Sequence, residues 1–508
     1  MVGAYTGQYP SPSSKAFAGI QLHDMVLDLS NPGMQPNIFQ DMSNGIVGSR
    51  LELDATNCLF KDIKNVTAYN NLTTFNGSGV TDRGGHGYFS DRQVGFGKNA
   101  AQATFDNCHY GITGVDINLR SSDNKMTNMD MGYRIDFSSY MSIDINDNLI
   151  WSKMNGIDLR YNDFAEHVIV ERNEIHFGDP SIVGTKGHSA IQVIEQNGDN
   201  PYSIIHDNDI FYNVNSTNAR NGIYLNSAAN YKVTENTLTM FNNLYNSKGI
   251  YSFGSVGTEI SCNDILGSSN NYTDKYQSAI TVTMNDGPTV ACNTVNGTYN
   301  GIYFSGPNHH TDVKGNNIHT HVHGVHLDNS AIIGNQDYRG NLWYQAAVGT
   351  GVNAVYDNAL NALTYTWKVD GTVTIPGSNP VPMTSAPTGW IIPNAGNNFE
   401  CSQNGGYCNQ FFTSGGGKQD FEHQIANGSL QNNPFTDETK WMLKGDLYKR
   451  LDENQSLMTG DATLTNFYNQ AQTQLLGQFK DIKDVNESLF YLDAAVRNNL
   501  NQNKLLLD

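Results

Sequence analysis

The chain has 508 residues, more than one compact core usually organises, so several domains or a solenoid growing along one axis are expected. Its formal net charge of −19, from 49 Asp and Glu against 30 Lys and Arg, speaks against the basic surface that a phosphate backbone needs, and no nucleic-acid partner is expected. No stretch approaches the roughly 20 apolar residues that a membrane span requires.

In chain order, the segment after Met1 carries no charged and then apolar leader, and Phe17-Ala18-Gly19-Ile20-Gln21-Leu22 already reads as a strand, which suggests a truncated N-terminus. From residue 114 two motifs interleave. One is a small residue followed by apolar-x-apolar: Gly114-Val115-Asp116-Ile117, Gly132-Tyr133-Arg134-Ile135, Gly156-Ile157-Asp158-Leu159, Ala190-Ile191-Gln192-Val193, Gly222-Ile223-Tyr224-Leu225, Ala279-Ile280-Thr281-Val282, Gly301-Ile302-Tyr303-Phe304 and Gly324-Val325-His326-Leu327, with Gly249-Ile250-Tyr251 a looser copy. The other places Asn three residues after one apolar residue and two before another, at Asn148, Asn173, Asn208, Asn236, Asn263, Asn293 and Asn316, spaced 23 to 35 residues apart.

Short strands of period two, split by turns and recurring at that irregular interval, predict coils that each lay a strand beside that of the coil before. The expected fold is therefore all-β: a right-handed parallel β-helix of about eleven coils over residues 1–346, with Ile, Val and Leu inside and the Asn residues stacked amide to amide at one turn. The uneven coil length predicts loops on one side, the longest being Phe177 to Ser189, Tyr212 to Asn221 and Met240 to Gly249, and binding is often carried by such loops.

Beyond Trp343 the repeat fades. Residues 347–433 read as a strand pair and a Pro- and Thr-rich linker, in which Cys401 and Cys408 flank a turn-rich loop that a disulfide would close. Cys262 and Cys292 each precede a ladder Asn, and the pattern fits either buried thiols or a bridge between neighbouring coils. Residues 434–508 read as two or three amphipathic helices, with Leu464, Phe467, Tyr468, Ala471, Leu475 and Phe479 on one stripe and Val485, Leu489, Leu492 and Val496 on another.

The Asn-bearing coils over roughly residues 17–346 resemble the pectate-lyase-like, right-handed parallel β-helix superfamily, and the irregular coils with a helical tail resemble secreted or surface proteins of Gram-negative bacteria. The resemblance implies an extracellular or cell-surface location and a polysaccharide or cell-surface glycan as partner. It does not choose among lyases, hydrolases, tailspikes and adhesins. Gly85-His86-Gly87 resembles the Gly-His-Gly of polygalacturonase-type hydrolases, but that family's other motifs do not follow in order.

Two sets of residues carry candidate chemistry. The outward positions of the Gly-apolar-x-apolar strands form a column from Asp116 through Arg134, Asp158, Gln192, Tyr224, Tyr251 and Tyr303 to His326, flanked by Asp136 and Arg160. Asp116, Arg134, Asp136, Asp158 and Arg160 are the candidate catalytic groups, as acid and base of a glycosidase or as the arginine of a lyase beside a bound Ca²⁺; alternatively the charges only pair with one another. Gln192, Tyr224, Tyr251 and Tyr303 are the candidate sugar-binding groups, the tyrosines offering ring faces. The second set is His319, His321 and His323, which period-two spacing places on one side of a strand and which fit Zn²⁺ as ligands; a hydrated, pH-sensitive patch is the alternative. With no complete catalytic motif present, a binding rod, monomeric rather than trimeric, is the expected function, with a polysaccharide lyase or glycoside hydrolase as the alternative.

Overall fold

The computed structural model describes residues 16–401 with gaps, chiefly at 64–77, 91–103, 179–187, 213–218, 241–245, 268–274 and 373–380, then isolated positions from Cys408 to Met458, and residues 461–472. Every strand pairing in it is parallel, as the repeat predicts. The chain is a parallel β-helix. Strands fall on three faces. The first face carries the Gly-apolar-x-apolar strands, such as Ile157–Arg160 and Lys248–Phe253; the second carries strands such as His167–Glu171 and Lys232–Thr234; the third is a separate sheet of twelve strands, from Asn37–Gln40 to Leu342–Trp343.

The first described strand, Ala16–Asp28, is paired in register to Met42–Asp54. It runs further than the expected end at 346. Val352–Tyr356 stacks on His321–Leu327, Ser385–Ala386 stacks on Val352–Tyr356, and Trp367–Asp370 pairs in parallel with Ile391–Asn394. The core changes character there, which is why the repeat is hard to read: Trp343, Trp367, Trp390 and Tyr356 replace the aliphatic filling, with Trp390 edge-on to both Trp367 and Tyr356.

Inside, Ile157, Ile191, Ile223, Ile250, Ile280 and Ile302 stand directly above one another and are fully buried. Each such side chain contributes about 1.5–3 kcal/mol by leaving water. The glycine that opens most first-face strands, replaced by Ala190 and Ala279 in two coils, lies against the next coil: a Cβ on Gly222 would sit 2.7 Å from the Gly249 carbonyl oxygen and 2.4 Å from Leu238. Only a small residue fits.

The asparagine column is longer than the motif shows. Nine residues take part, Asn124, Asn148, Asn173, Asn208, Asn236, Asn263, Asn293, Asn316 and Asn341, and each Nδ2 donates to the Oδ1 of the next at 2.8–3.0 Å. The same Oδ1 also accepts the backbone N–H of the Asn one coil earlier, as Asn236 does from Asn208 at 3.1 Å. The preceding residue turns the chain with a positive φ, 57° at Asp147 and 61° at Cys262, and its own N–H donates to the next coil, to the Glu171 carbonyl at 3.1 Å and the Ala291 carbonyl at 3.0 Å. The carboxamide donates from one atom and accepts at another on the same short side chain, and this lets a buried turn satisfy its polar groups without water.

The cysteines depart from expectation. Cys401 does not bridge Cys408; instead Cys292 bridges Cys401 and Cys262 bridges Cys408, across 109 and 146 residues. Because Cys262 and Cys292 are the turn residues before ladder asparagines in adjacent coils, they point out of the stack rather than into it, and two bonds tie the segment after the solenoid onto its flank. Cys58 and Cys108 are buried and take no part in these two disulfides, and burial pushes the Cys108 thiol up to about 12. Of the expected helices, Ala462–Gln472 is present, with Asp461 accepting the Leu464 N–H as its N-cap and Leu464 and Ala471 buried. The expected helical stripe from Leu475 onward lies outside the described residues.

Candidate functional site

The outward column of the first face is continuous from Arg134. Strand register places Arg134 beside Asp158, Asp158 beside Gln192, Gln192 beside Tyr224, and so through Tyr251, Thr281 and Tyr303 to His326. Its position before Arg134 is held by Thr113, because Gly111-Ile112-Thr113, not Gly114-Val115-Asp116, is the frame that stacks on Gly132; Asp116 itself lies outside the described residues.

Arg134, Asp136, Asp158 and Arg160 form a square of alternating charge over two coils. Arg134 Nε donates to Asp136 at 3.0 Å, and Arg160 Nε donates to both oxygens of Asp158 at 2.9 Å while its Nη2 lies 2.8 Å from Oδ2. Asp158 is fully buried and also accepts from Gln192 Nε2 at 2.9 Å. The sequence places these four correctly, but their bonds run within each strand, between residues two apart. Asp136 alone keeps a loose end: its Oδ1 finds no hydrogen-bond partner among the described residues, and desolvation raises its carboxyl pKa against the pull of Arg134.

Further along, Tyr224 and Tyr251 stack with ring centroids 5.2 Å apart, and the Lys248 ammonium lies 4.9 Å from the Tyr251 ring centre. The ring faces expected for sugar stacking are therefore turned toward each other, leaving edges and hydroxyls outward. Desolvation raises both phenols, so they are hydroxyl donors at neutral pH. Tyr303 is set apart by the buried Thr281; its hydroxyl donates to Asp328 at 3.3 Å, and its pKa is raised to about 12 by burial and by that carboxylate.

His319, His321 and His323 do not converge. His319 lies before the strand and stacks flat on Tyr344, with centroids 4.3 Å apart. His321 is buried; its Nε2 accepts from the Asn353 amide at 2.9 Å, and its Nδ1 meets the His319 carbonyl. His323 faces the first-face column instead, with its Nδ1 3.2 Å from His326 Nδ1, and burial together with His326 lowers its pKa to about 4. The period-two argument fails because Gly324 and Val325 are both buried in succession, which breaks the alternation. Among the described residues, no group of three or more His, Cys, Asp or Glu is arranged to hold a metal ion.

Two features escape the sequence reading. Trp151, His176 and Phe211 stack on the third face at 4.6 and 4.7 Å, in a column that the two repeat motifs do not index. Arg172, one residue before a ladder Asn, is bonded to Asp147 and to the buried Glu171. Gly85-His86-Gly87 and most of the three long loops lie outside the described residues.

No protein-family model matches the chain, and no curated protein matches it in sequence. Among solved structures it is similar to PfbA, a surface adhesin of Streptococcus pneumoniae, at 10% identity and a TM-score of 0.21, over 66% of this chain and 85% of that one. At that score the likeness carries no argument, and the parallel β-helix rests on the strand pairing itself. No helix among the described residues is long and apolar enough to cross a membrane.

Proposed function

We propose that the chain is a secreted or cell-surface β-helix that binds carbohydrate along its first face, at Gln192, Tyr224, Tyr251 and Tyr303. The observation that carries this reading is the pairing of the charge square. Arg160 and Gln192 occupy the carboxylate of Asp158, and Arg134 holds Asp136, so the face offers fixed polar groups rather than an acid and a base free to move protons. Sugar hydroxyls match the outward phenols and the Gln192 amide, and the edges of the stacked tyrosines supply apolar contact. The two disulfides support an oxidising compartment. The acidic balance favours a neutral glycan, and the rod acts as a monomer.

A polysaccharide lyase or hydrolase is the second reading, favoured by the raised pKa and unpartnered oxygen of Asp136. Both are tested on one sample. Purified chain is screened against a neutral and acidic polysaccharide panel, with and without Ca²⁺, for retention on immobilised glycan, for new reducing ends and for absorbance at about 235 nm. Retention that Tyr224→Ala and Tyr251→Ala abolish, with no product, supports binding. Product formation that Asp136→Ala removes replaces it with the enzyme, and retention indifferent to both tyrosines overturns the proposed face.

A further inference from the structure

At its C-terminal end the first face gathers three donor atoms that the proposed function does not use. Asn300 Oδ1 lies 3.0 Å from His326 Nδ1 and 3.3 Å from His323 Nδ1, and the two nitrogens are 3.2 Å apart. This is the triangle a transition-metal ion imposes. Zn²⁺ held at about 2.0–2.2 Å by nitrogen and oxygen sets its donors about 3.0 Å apart in cis-octahedral geometry and about 3.4 Å apart in tetrahedral geometry.

The orientation of each donor is fixed from behind. Asn300 is buried, and its Nδ2 donates to the carbonyls of Lys275 at 2.9 Å and Gln277 at 3.2 Å, so Oδ1 must be the atom turned to the histidines. His326 has its Nε2 3.1 Å from Asp357 Oδ2; when neutral it donates its proton there, which leaves an Nδ1 lone pair facing the Asn300 oxygen. Two acceptors then face each other, and only a proton or a cation between them makes the contact favourable. His323 supplies the proton when it carries it on Nδ1, and shifting that proton to Nε2 frees a third lone pair for a cation. Tyr299 and Tyr303 stand edge-on to His323 and His326 and hold the rings in place.

We propose that Asn300, His323 and His326 form a binding site for a Zn²⁺-class dication, with Asp357 as the carboxylate that orients His326. Two imidazoles select Zn²⁺, Ni²⁺ or Cu²⁺ over Ca²⁺ or Mg²⁺, and the three protein ligands leave coordination positions for water or an oxygen-bearing ligand. The triad differs from the sequence-derived His319, His321 and His323 by two of its three members. It stands independently of the carbohydrate reading.

The test uses the full chain without a histidine tag, stripped with chelator and titrated with ZnCl₂ by calorimetry, with Co²⁺ absorption as a second readout. One equivalent is expected to bind. His323→Ala and His326→Ala are expected to weaken it at least 100-fold, and His319→Ala and His310→Ala to leave it unchanged. Asp357→Asn, at a half-exposed carboxylate, should weaken it about 10- to 100-fold and alter the Co²⁺ spectrum while circular dichroism stays the same. Wild-type protein that fails to bind an equivalent, or binding that survives in both His323→Ala and His326→Ala, overturns the site. If those two variants misfold, unchanged affinity and spectrum in Asp357→Asn overturn it instead.

Discussion

Two columns of stacked residues run along this molecule with the same spacing, about 4.8 Å per coil, and opposite tolerances. The inner one repeats a single residue, from Asn124 to Asn341. The outer one, on the first face, changes at nearly every coil: arginine, aspartate, glutamine, two tyrosines, threonine, tyrosine, histidine. Position explains the difference. A buried turn must satisfy each polar group from the coils above and below, and the carboxamide does so in both directions. The outer column mixes half-buried residues such as Tyr224 and Tyr251 with Asp158, Gln192 and Thr281, which are buried and bond to neighbouring side chains, so no single residue type is required there.

The inner column should break most severely. Asn236→Ala removes donation to Asn263, Ile205 and Thr234 and acceptance from Asn208, all buried. Leaving several such groups unpaired should cost on the order of 5 kcal/mol, read as a lowered midpoint in urea unfolding. Among the buried members of the outer column Asp158 carries the charge: Arg160→Met strands its carboxylate and should cost about 3 kcal/mol by the same measurement.

The inner turn also sets an acid limit. His206, two residues before a ladder Asn, is fully buried, and desolvation and then Arg172 lower its pKa to about 3. The unfolded imidazole, near 6.5, binds a proton that the folded one refuses, so its contribution is complete above about 6.5 and is lost as pH falls toward 3. Stability should drop by about 2 kcal/mol between pH 7 and pH 5, and His206→Asn should flatten that slope in unfolding measured across pH.

The smallest effects belong to the truly outward residues. Tyr224→Ala or Tyr251→Ala should cost about 1 kcal/mol, the value of one stacked aromatic pair, while abolishing glycan retention. Asp136→Asn should be neutral within about 0.5 kcal/mol at pH 7, because one oxygen is already unpartnered and the folded state disfavours its charge. A large loss of stability in either case would mean that this part of the outer column is structural as well.

Legibility in the sequence followed the same division. Seven asparagines of the ladder stand out because Val or Ile precedes each by three residues; Asn124 escapes because Ser121 stands there, and Asn341 because Tyr338 does. The outward column from Arg134 to His326 is read correctly by period two. It fails at two glycines. Gly114-Val115-Asp116-Ile117 fits the motif, whereas Gly111-Ile112-Thr113 is followed by Gly114 where the second apolar residue should stand, yet pairing with Gly132 selects Gly111 and puts Thr113 opposite Arg134. At Gly324 two buried residues in a row bring residues three apart to one side, which joins His323 to His326 and separates both from His319.

By itself, then, the sequence determined the parallel solenoid, the asparagine turn and the charge square, because each is a local pattern repeated against its own copy one coil away. Tertiary structure alone decided the disulfide partners, the aromatic end of the core, which way the tyrosine rings face, and the meeting of Asn300 with two histidines. Those contacts join residues that share no period, and their geometry depends on how unequal coils come into register.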